Sequence, residues 1–91
     1  MGKHSRKSLS RGEQDRIRAV IADARTKAGI SQRELSRTLQ ETPPYIWAIE
    51  RGERTVDVVE FIDIAKALGR DPIELFAQIV HAQPSANPID L

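Results

Sequence analysis

Four times along this chain a serine or an aspartate stands three positions ahead of a glutamate: Ser10/Glu13, Ser31/Glu34, Asp57/Glu60 and Asp71/Glu74. At that spacing the side-chain oxygen accepts from the third amide of a helix while the glutamate accepts from the cap residue's own amide, a reciprocal cap. Gly29, Gly52 and Gly69 follow at the far ends of the segments so opened, and glycine is the residue that ends a helix in the left-handed conformation. A chain punctuated this way is limited to short helices joined by tight turns.

The apolar spacing between those marks supports the same reading. The first helix is expected from Ser10 to about Lys27, with Ile17, Val20, Ile21, Ala24 and Ala28 on one buried face. Ser31 opens a short second helix with Leu35 and Leu39 inward. Thr42-Pro43-Pro44 opens a third, with Thr42 as cap, Ile46 and Ile49 inward and Gly52 as stop. Proline is tolerated in a first turn, but Pro43 directly before Pro44 is strained, so the helical start can slip to Pro44. Asp57 opens a fourth helix burying Val58 or Val59, Phe61, Ile62, Ala65 and Leu68. Asp71-Pro72-Ile73-Glu74 opens a fifth that reaches about His81. The fold class expected is all-α: a compact five-helix domain over residues 10–82, with a flexible basic arm at 1–9 and a flexible tail at 83–91. No strand pattern, internal repeat or glycine-rich phosphate loop is present in the sequence.

Ninety-one residues suit one domain with a modest core. Without cysteine there is no disulfide, thiolate metal site or cysteine nucleophile. The apolar runs are far too short for a membrane span, and the basic N-terminus has no apolar stretch behind it, so it does not read as a signal peptide. The formal net charge of +1 hides a gradient: residues 1–12 sum to +4, residues 13–55 to +1 and residues 56–91 to −4. An anionic partner is drawn to the N-terminal half. The arm itself either tracks phosphates or serves as a solubilising tail. His4 and His81 have no second ligand at metal spacing, no serine sits in a nucleophile elbow, and little room exists for a substrate cleft. The expectation is no catalytic residue, no metal, no cofactor and no enzyme activity.

The informative stretch is SQRELSRTLQETPPYIWAIER, Ser31 to Arg51. Two short helices meet across a turn, Ser36 is small where the second must pack closely on the first, and Leu35, Leu39, Ile46 and Ile49 hold the pair to the core. That is the helix-turn-helix layout, whose second helix enters a major groove. Over residues 7–77 the chain also resembles the lambda-repressor-like (Cro/cI, XRE) family, in Arg25, GISQREL at 29–35, YIWAIERGER at 45–54, DVVEF at 57–61 and IAKALGRDPIEL at 64–75. The last segments resemble a subgroup of small bacterial regulators.

That resemblance implies site roles. Gln32 corresponds to a glutamine that bonds a DNA phosphate, Arg25 and Glu50 to an inter-helix ion pair, and Arg51 and Arg54 to phosphate contacts beyond the recognition helix. Arg33, Thr42, Pro43, Pro44, Tyr45, Trp47 and Ala48 complete the expected DNA-facing set. Gln40 stands where a turn glycine is common, and Glu41 where an apolar residue is common. The positions that usually read bases are Pro43, Pro44, Trp47 and Ala48, none of which makes a bidentate bond to a base. Ala48 and the proline rings can touch thymine methyls, and Tyr45 can offer its hydroxyl to a phosphate. Trp47 lies against sugar-phosphate, packs over the turn or forms a protein interface.

The expected function is a sequence-selective DNA-binding transcriptional regulator, a repressor, that binds a two-fold operator on double-stranded DNA as a homodimer. Ile79 and Val80 are the expected dimer interface, and the expected location is the bacterial cytoplasm, on the nucleoid when DNA is bound. The alternative is a protein-interaction module, or an antitoxin-like adaptor, on a helix-turn-helix frame, with its partner on the Trp47 surface.

Overall fold

The computed structural model describes residues 11–81. Ser10, the arm at 1–9 and the tail at 83–91 lie outside the described residues. Five helices follow in order: α1 Arg11–Ala28, α2 Gln32–Thr38, α3 Pro44–Arg51, α4 Val58–Ala67 and α5 Pro72–His81. No strand occurs among the described residues. The described residues form an all-α domain.

Of the three capping boxes expected among the described residues, those of Ser31/Glu34 and Asp57/Glu60 are complete. Ser31 Oγ accepts from Glu34 N at 3.0 Å and Glu34 Oε1 from Ser31 N at 3.1 Å. Asp57 Oδ1 accepts from Glu60 N at 2.8 Å and Glu60 Oε1 from Asp57 N at 3.0 Å. Each cap contributes about 1 kcal/mol. Asp71 Oδ1 takes Ile73 N at 3.0 Å ahead of α5.

α1 presents Val20, Ile21 and Ala24 to the core, with Ile17 half-buried. Ala28 is exposed instead of buried: it sits in the last turn, beyond the stretch on which other helices pack. From α2 the core takes Leu35, from α3 Tyr45, Ile46 and Ile49, from α4 Phe61, Ile64 and Ala65 with Leu68 just beyond, and from α5 Leu75 and Ile79. α4 therefore buries Ile64, not Val58 or Val59, which are 75% and 65% exposed. Its stripe of 61, 64, 65 and 68 has helical period, and Val58 and Val59 lie outside it. Ile79 is a further correction: at 6% exposure it belongs to the core beside Leu75, one helical turn earlier, and is not free to form a dimer surface. Ile73, Phe76 and Val80 remain exposed, with Phe76 set edge-on to Phe61 at 6.3 Å. Arg16 Nε donates to Ile79 O at 3.2 Å and ties α1 to α5.

Two connections set the pose of α3. After α2, Gln40 takes φ 61° and the amide of Glu41 closes on Ser36 O at 2.9 Å. A non-glycine residue in that left-handed region costs about 1 kcal/mol. After α3, Gly52 has φ 83°, and a Cβ there would lie 3.2 Å from Arg18 Nε. Arg18 Nη1 donates to Glu50 O at 3.4 Å, so glycine serves both the turn and the seating of α1 on the end of α3.

Candidate nucleic-acid interface

The start of α3 has a complete and unusual account of its amides. The helix begins at Pro44, with Pro43 at φ −51° and ψ −40° as its cap residue and no cap bond from that residue's side chain. Thr42 is not the side-chain cap expected from sequence; it supplies its carbonyl, which accepts from Tyr45 N at 3.0 Å. Pro43 and Pro44 have no N–H to offer. The next amide, Ile46 N, donates to Ser36 Oγ at 3.1 Å. Ser36 is fully buried, so α3 is capped from α2, across the turn. Sequence reading saw Ser36 only as small; its hydroxyl leaves no local signal.

α3 turns Tyr45, Ile46 and Ile49 inward and Pro44, Trp47, Ala48 and Arg51 outward or to the edge. Trp47 is 43% exposed, with the Arg51 guanidinium 4.8 Å over its ring. Such a cation–π contact is worth about 0.5–1 kcal/mol at an exposed site. Arg51 Nε also meets Glu53 Oε2 at 3.0 Å.

Tyr45 departs from the expected set. At 7% exposure its ring is core, on the same stripe as Ile49, so it is not an outward phosphate contact. The Arg54 guanidinium lies 4.9 Å over the ring and pairs with Glu60. Burial pushes the phenol up to about 12, against a lowering hydrogen bond from Arg54. The Glu60 carboxyl is held below its ordinary range, first by the Asp57 amide and then by Tyr45 and Arg54. Arg54 is thus engaged on two sides although its side chain is 45% exposed.

Behind α3 stands a polar triad. Arg25 Nε and Nη2 meet Glu50 Oε2 and Oε1 at 2.6 and 3.0 Å. Arg25 Nη1 also donates to Ile30 O at 2.9 Å. Gln32 Nε2 adds a bond to Glu50 Oε1 at 2.7 Å. The two charged side chains are 14% and 11% exposed, and the carboxylate holds the Arg25 pKa above its ordinary value. Three helices are locked by this group, and removing one charge costs on the order of 3 kcal/mol by leaving the other uncompensated. The second N–H of Gln32 is not used in the triad.

Arg33 and Arg37 project from the outer side of α2, four residues apart. With Gln40, Glu41 and Pro43 they line an open groove of about 470 Å³ beside the start of α3. Arg16, Arg18 and Arg25 on α1, and Arg51 and Arg54 at and beyond the end of α3, each have an acid within 4.0 Å. Arg33 and Arg37 have none among the described residues. Thr42 is exposed at the same edge. No cluster of three metal-ligating side chains occurs among the described residues.

An α2–turn–α3 pair fixed in this way, with the second helix's outer face left open, defines a helix-turn-helix protein. The family model described as Helix-turn-helix matches residues 21–75, and the chain belongs to that family, of the Cro/cI, XRE type. Among solved structures it is similar to an XRE-family like protein from Pseudomonas syringae pv. tomato str. DC3000, 29% identical, with TM-score 0.79 over 88% of this chain and 98% of that one. It also has the fold of the clp gene regulator ClgR from Corynebacterium glutamicum. In one structure of that protein the identity is 21% and the TM-score 0.70, over 77% of this chain and 74% of the other. In a second the values are 20% and 0.72, over 81% and 96%. No curated protein matches the chain.

Proposed function

We infer that this protein is a DNA-binding transcription regulator and not an enzyme, and that it acts as a repressor from a two-fold operator. The observation that carries the reading is the outer face of α3, where Pro44, Trp47, Ala48 and Arg51 stand clear of the core on a helix braced from behind by Arg25, Glu50 and Gln32. A braced helix with one open face is what major-groove entry requires. Membership of the helix-turn-helix family, and a fold shared with the clp gene regulator ClgR, support the reading further.

The face is poor in hydrogen-bonding side chains. Affinity then comes from the backbone, through Gln32, Arg33, Thr42, Arg51 and Arg54, while Ala48 and the proline rings touch thymine methyls and selectivity follows DNA shape. One recognition helix covers few base pairs, so two copies bind half-sites about 34 Å apart. Their contact uses Val80 with Phe76 and Ile73, the exposed apolar side chains of α5. The place of action is the bacterial cytoplasm.

The test is binding of the full chain to mixed-sequence genomic duplexes across a salt series, followed by selection and sequencing of the bound fragments. Steep weakening with salt and recovery of a two-fold sequence are expected. Absence of binding at low salt overturns the reading in favour of a protein partner at the Trp47 surface.

A further inference from the structure

We propose that Arg33, Arg37 and Gln40 form a phosphodiester clamp on the outer side of α2, which holds the DNA strand that the start of α3 cannot hold. The proposal rests on the DNA-binding reading and adds the place where one strand is gripped.

The first support is a deficit. A helix N-terminus ordinarily offers its unpaired amides to a phosphate. In α3 none is left, because Pro43 and Pro44 carry no N–H, Tyr45 N is taken by Thr42 O and Ile46 N by Ser36 Oγ. A strand passing that point needs donors from another element. The groove on the α2 side of Pro43 is the adjoining concavity, and its lining includes two guanidinium groups.

The second support is the state of those two groups. Arg16, Arg18 and Arg25 of α1, and Arg51 and Arg54 at and beyond the end of α3, each have an acid within 4.0 Å, whereas Arg33 and Arg37 have none among the described residues. Glu41 lines the same groove but lies beyond ion-pair distance of both. At a spacing of four residues the two arginines share one face of α2, and planar guanidinium suits phosphate oxygens better than a point charge does.

The third support is Gln40. It is the one non-glycine residue with positive φ among the described residues, at 61°. A glycine there would relax the turn, and a residue held in a strained conformation points to a use for its side chain. That side chain lines the groove with the arginines, and its amide adds a neutral donor to two charged ones.

The experiment measures affinity of the full chain for labelled mixed-sequence duplexes against salt concentration, with Arg33→Ala, Arg37→Ala, Gln40→Gly and Lys66→Ala beside the wild type. Lys66 is also without an acid partner among the described residues, but stands on α4 away from the groove. Arg33→Ala and Arg37→Ala should each lower the salt slope by about one. Gln40→Gly should weaken binding several-fold at an equal or higher Tm, and Lys66→Ala should leave the slope unchanged. A wild type that binds with a steep salt dependence, beside arginine variants of unchanged slope or a Lys66→Ala loss of equal size, overturns the clamp and leaves the DNA reading standing. A Gln40→Gly variant that binds as tightly as the wild type removes Gln40 from it. Failure of the wild type to bind any duplex overturns both.

Discussion

Ser36 Oγ on α2 accepts the backbone hydrogen of Ile46, the third amide of α3, at 3.1 Å. The bond does for α3 what Ser31 and Asp57 do for α2 and α4 from their own cap positions. Because the acceptor comes from the preceding helix, it fixes the angle between α2 and α3 as well as the start of α3. With Arg25, Glu50 and Gln32 bracing the other end, the recognition helix is held at both termini by elements outside itself.

Ser36→Ala should therefore cost more than an ordinary exposed cap. It leaves a buried N–H unsatisfied, a loss of about 1–3 kcal/mol, whereas Ser31→Ala at an exposed cap should cost about 1 kcal/mol. Denaturant unfolding of both variants, with equal m-values, checks the order. A Ser36→Ala variant as stable as the wild type would show that water or a neighbouring acceptor replaces the hydroxyl.

Tyr45 is the only tyrosine of the chain, so tyrosinate absorbance reports its titration without interference. In the folded protein the phenol titrates at about 12, against about 10 when unfolded. A raised folded pKa means that the folded state holds its proton longer. The stability this contributes is complete below pH 10, declines as pH rises from there, and is lost through about 12. Tyr45→Phe should remove that alkaline dependence and leave the remainder of the pH profile in place. A folded-state midpoint near 10 would contradict the buried placement of the ring.

How much of this was legible in the sequence depends on the range of each interaction. Apart from the start of α3, helix starts and stops rest on partners within five residues, and all five helices follow the order that Ser31, Asp57, Asp71 and the glycines imply. The left-handed Gln40 is equally local, since the turn demands the conformation whatever residue occupies it. Val58 and Val59 were misplaced because periodicity says which face a residue is on, not whether another helix covers it. For Tyr45 and Ile79 the signal was present: each lies four residues from a core position, Ile49 and Leu75, and so shares its stripe. The bond from Ser36 to Ile46 joins positions ten apart across a turn, and no local pattern announces it.

The corrected α5 gives a prediction on assembly. Phe76 and Val80 are 56% and 52% exposed, while Ile79 between them is 6% exposed. Phe76→Ser with Val80→Ser should give folded monomers with stability changed by less than about 1 kcal/mol, since neither side chain anchors the core. Ile79→Ala should instead destabilise by about 2–5 kcal/mol through the cavity it leaves. Sedimentation of the double variant on and off DNA, beside thermal unfolding of both, separates the cases. A wild type that is monomeric even on a two-fold site sinks the dimer.

Trp47 separates the two function classes, and its geometry sharpens the test. It is the only tryptophan, 43% exposed on the outer side of α3, with Arg51 stacked 4.8 Å over its ring. Its exposed edge and the cation beside it make one unit, apolar and positive, suited to sugar-phosphate or to an acidic protein surface. Because its neighbours Ile46 and Ile49 carry the packing, Trp47→Ala should change stability by no more than about 1 kcal/mol. If DNA is the ligand, adding selected duplex changes the indole fluorescence, and the substitution lowers specific affinity more than nonspecific affinity. Arg51→Ala should reproduce part of that loss, because it removes a phosphate charge together with the group that holds the ring. If a protein is the ligand, duplex leaves the fluorescence unchanged and a co-purifying partner alters it. Unfolding of Trp47→Ala would overturn both, since it would make the indole a structural residue resting on Leu39 and the turn.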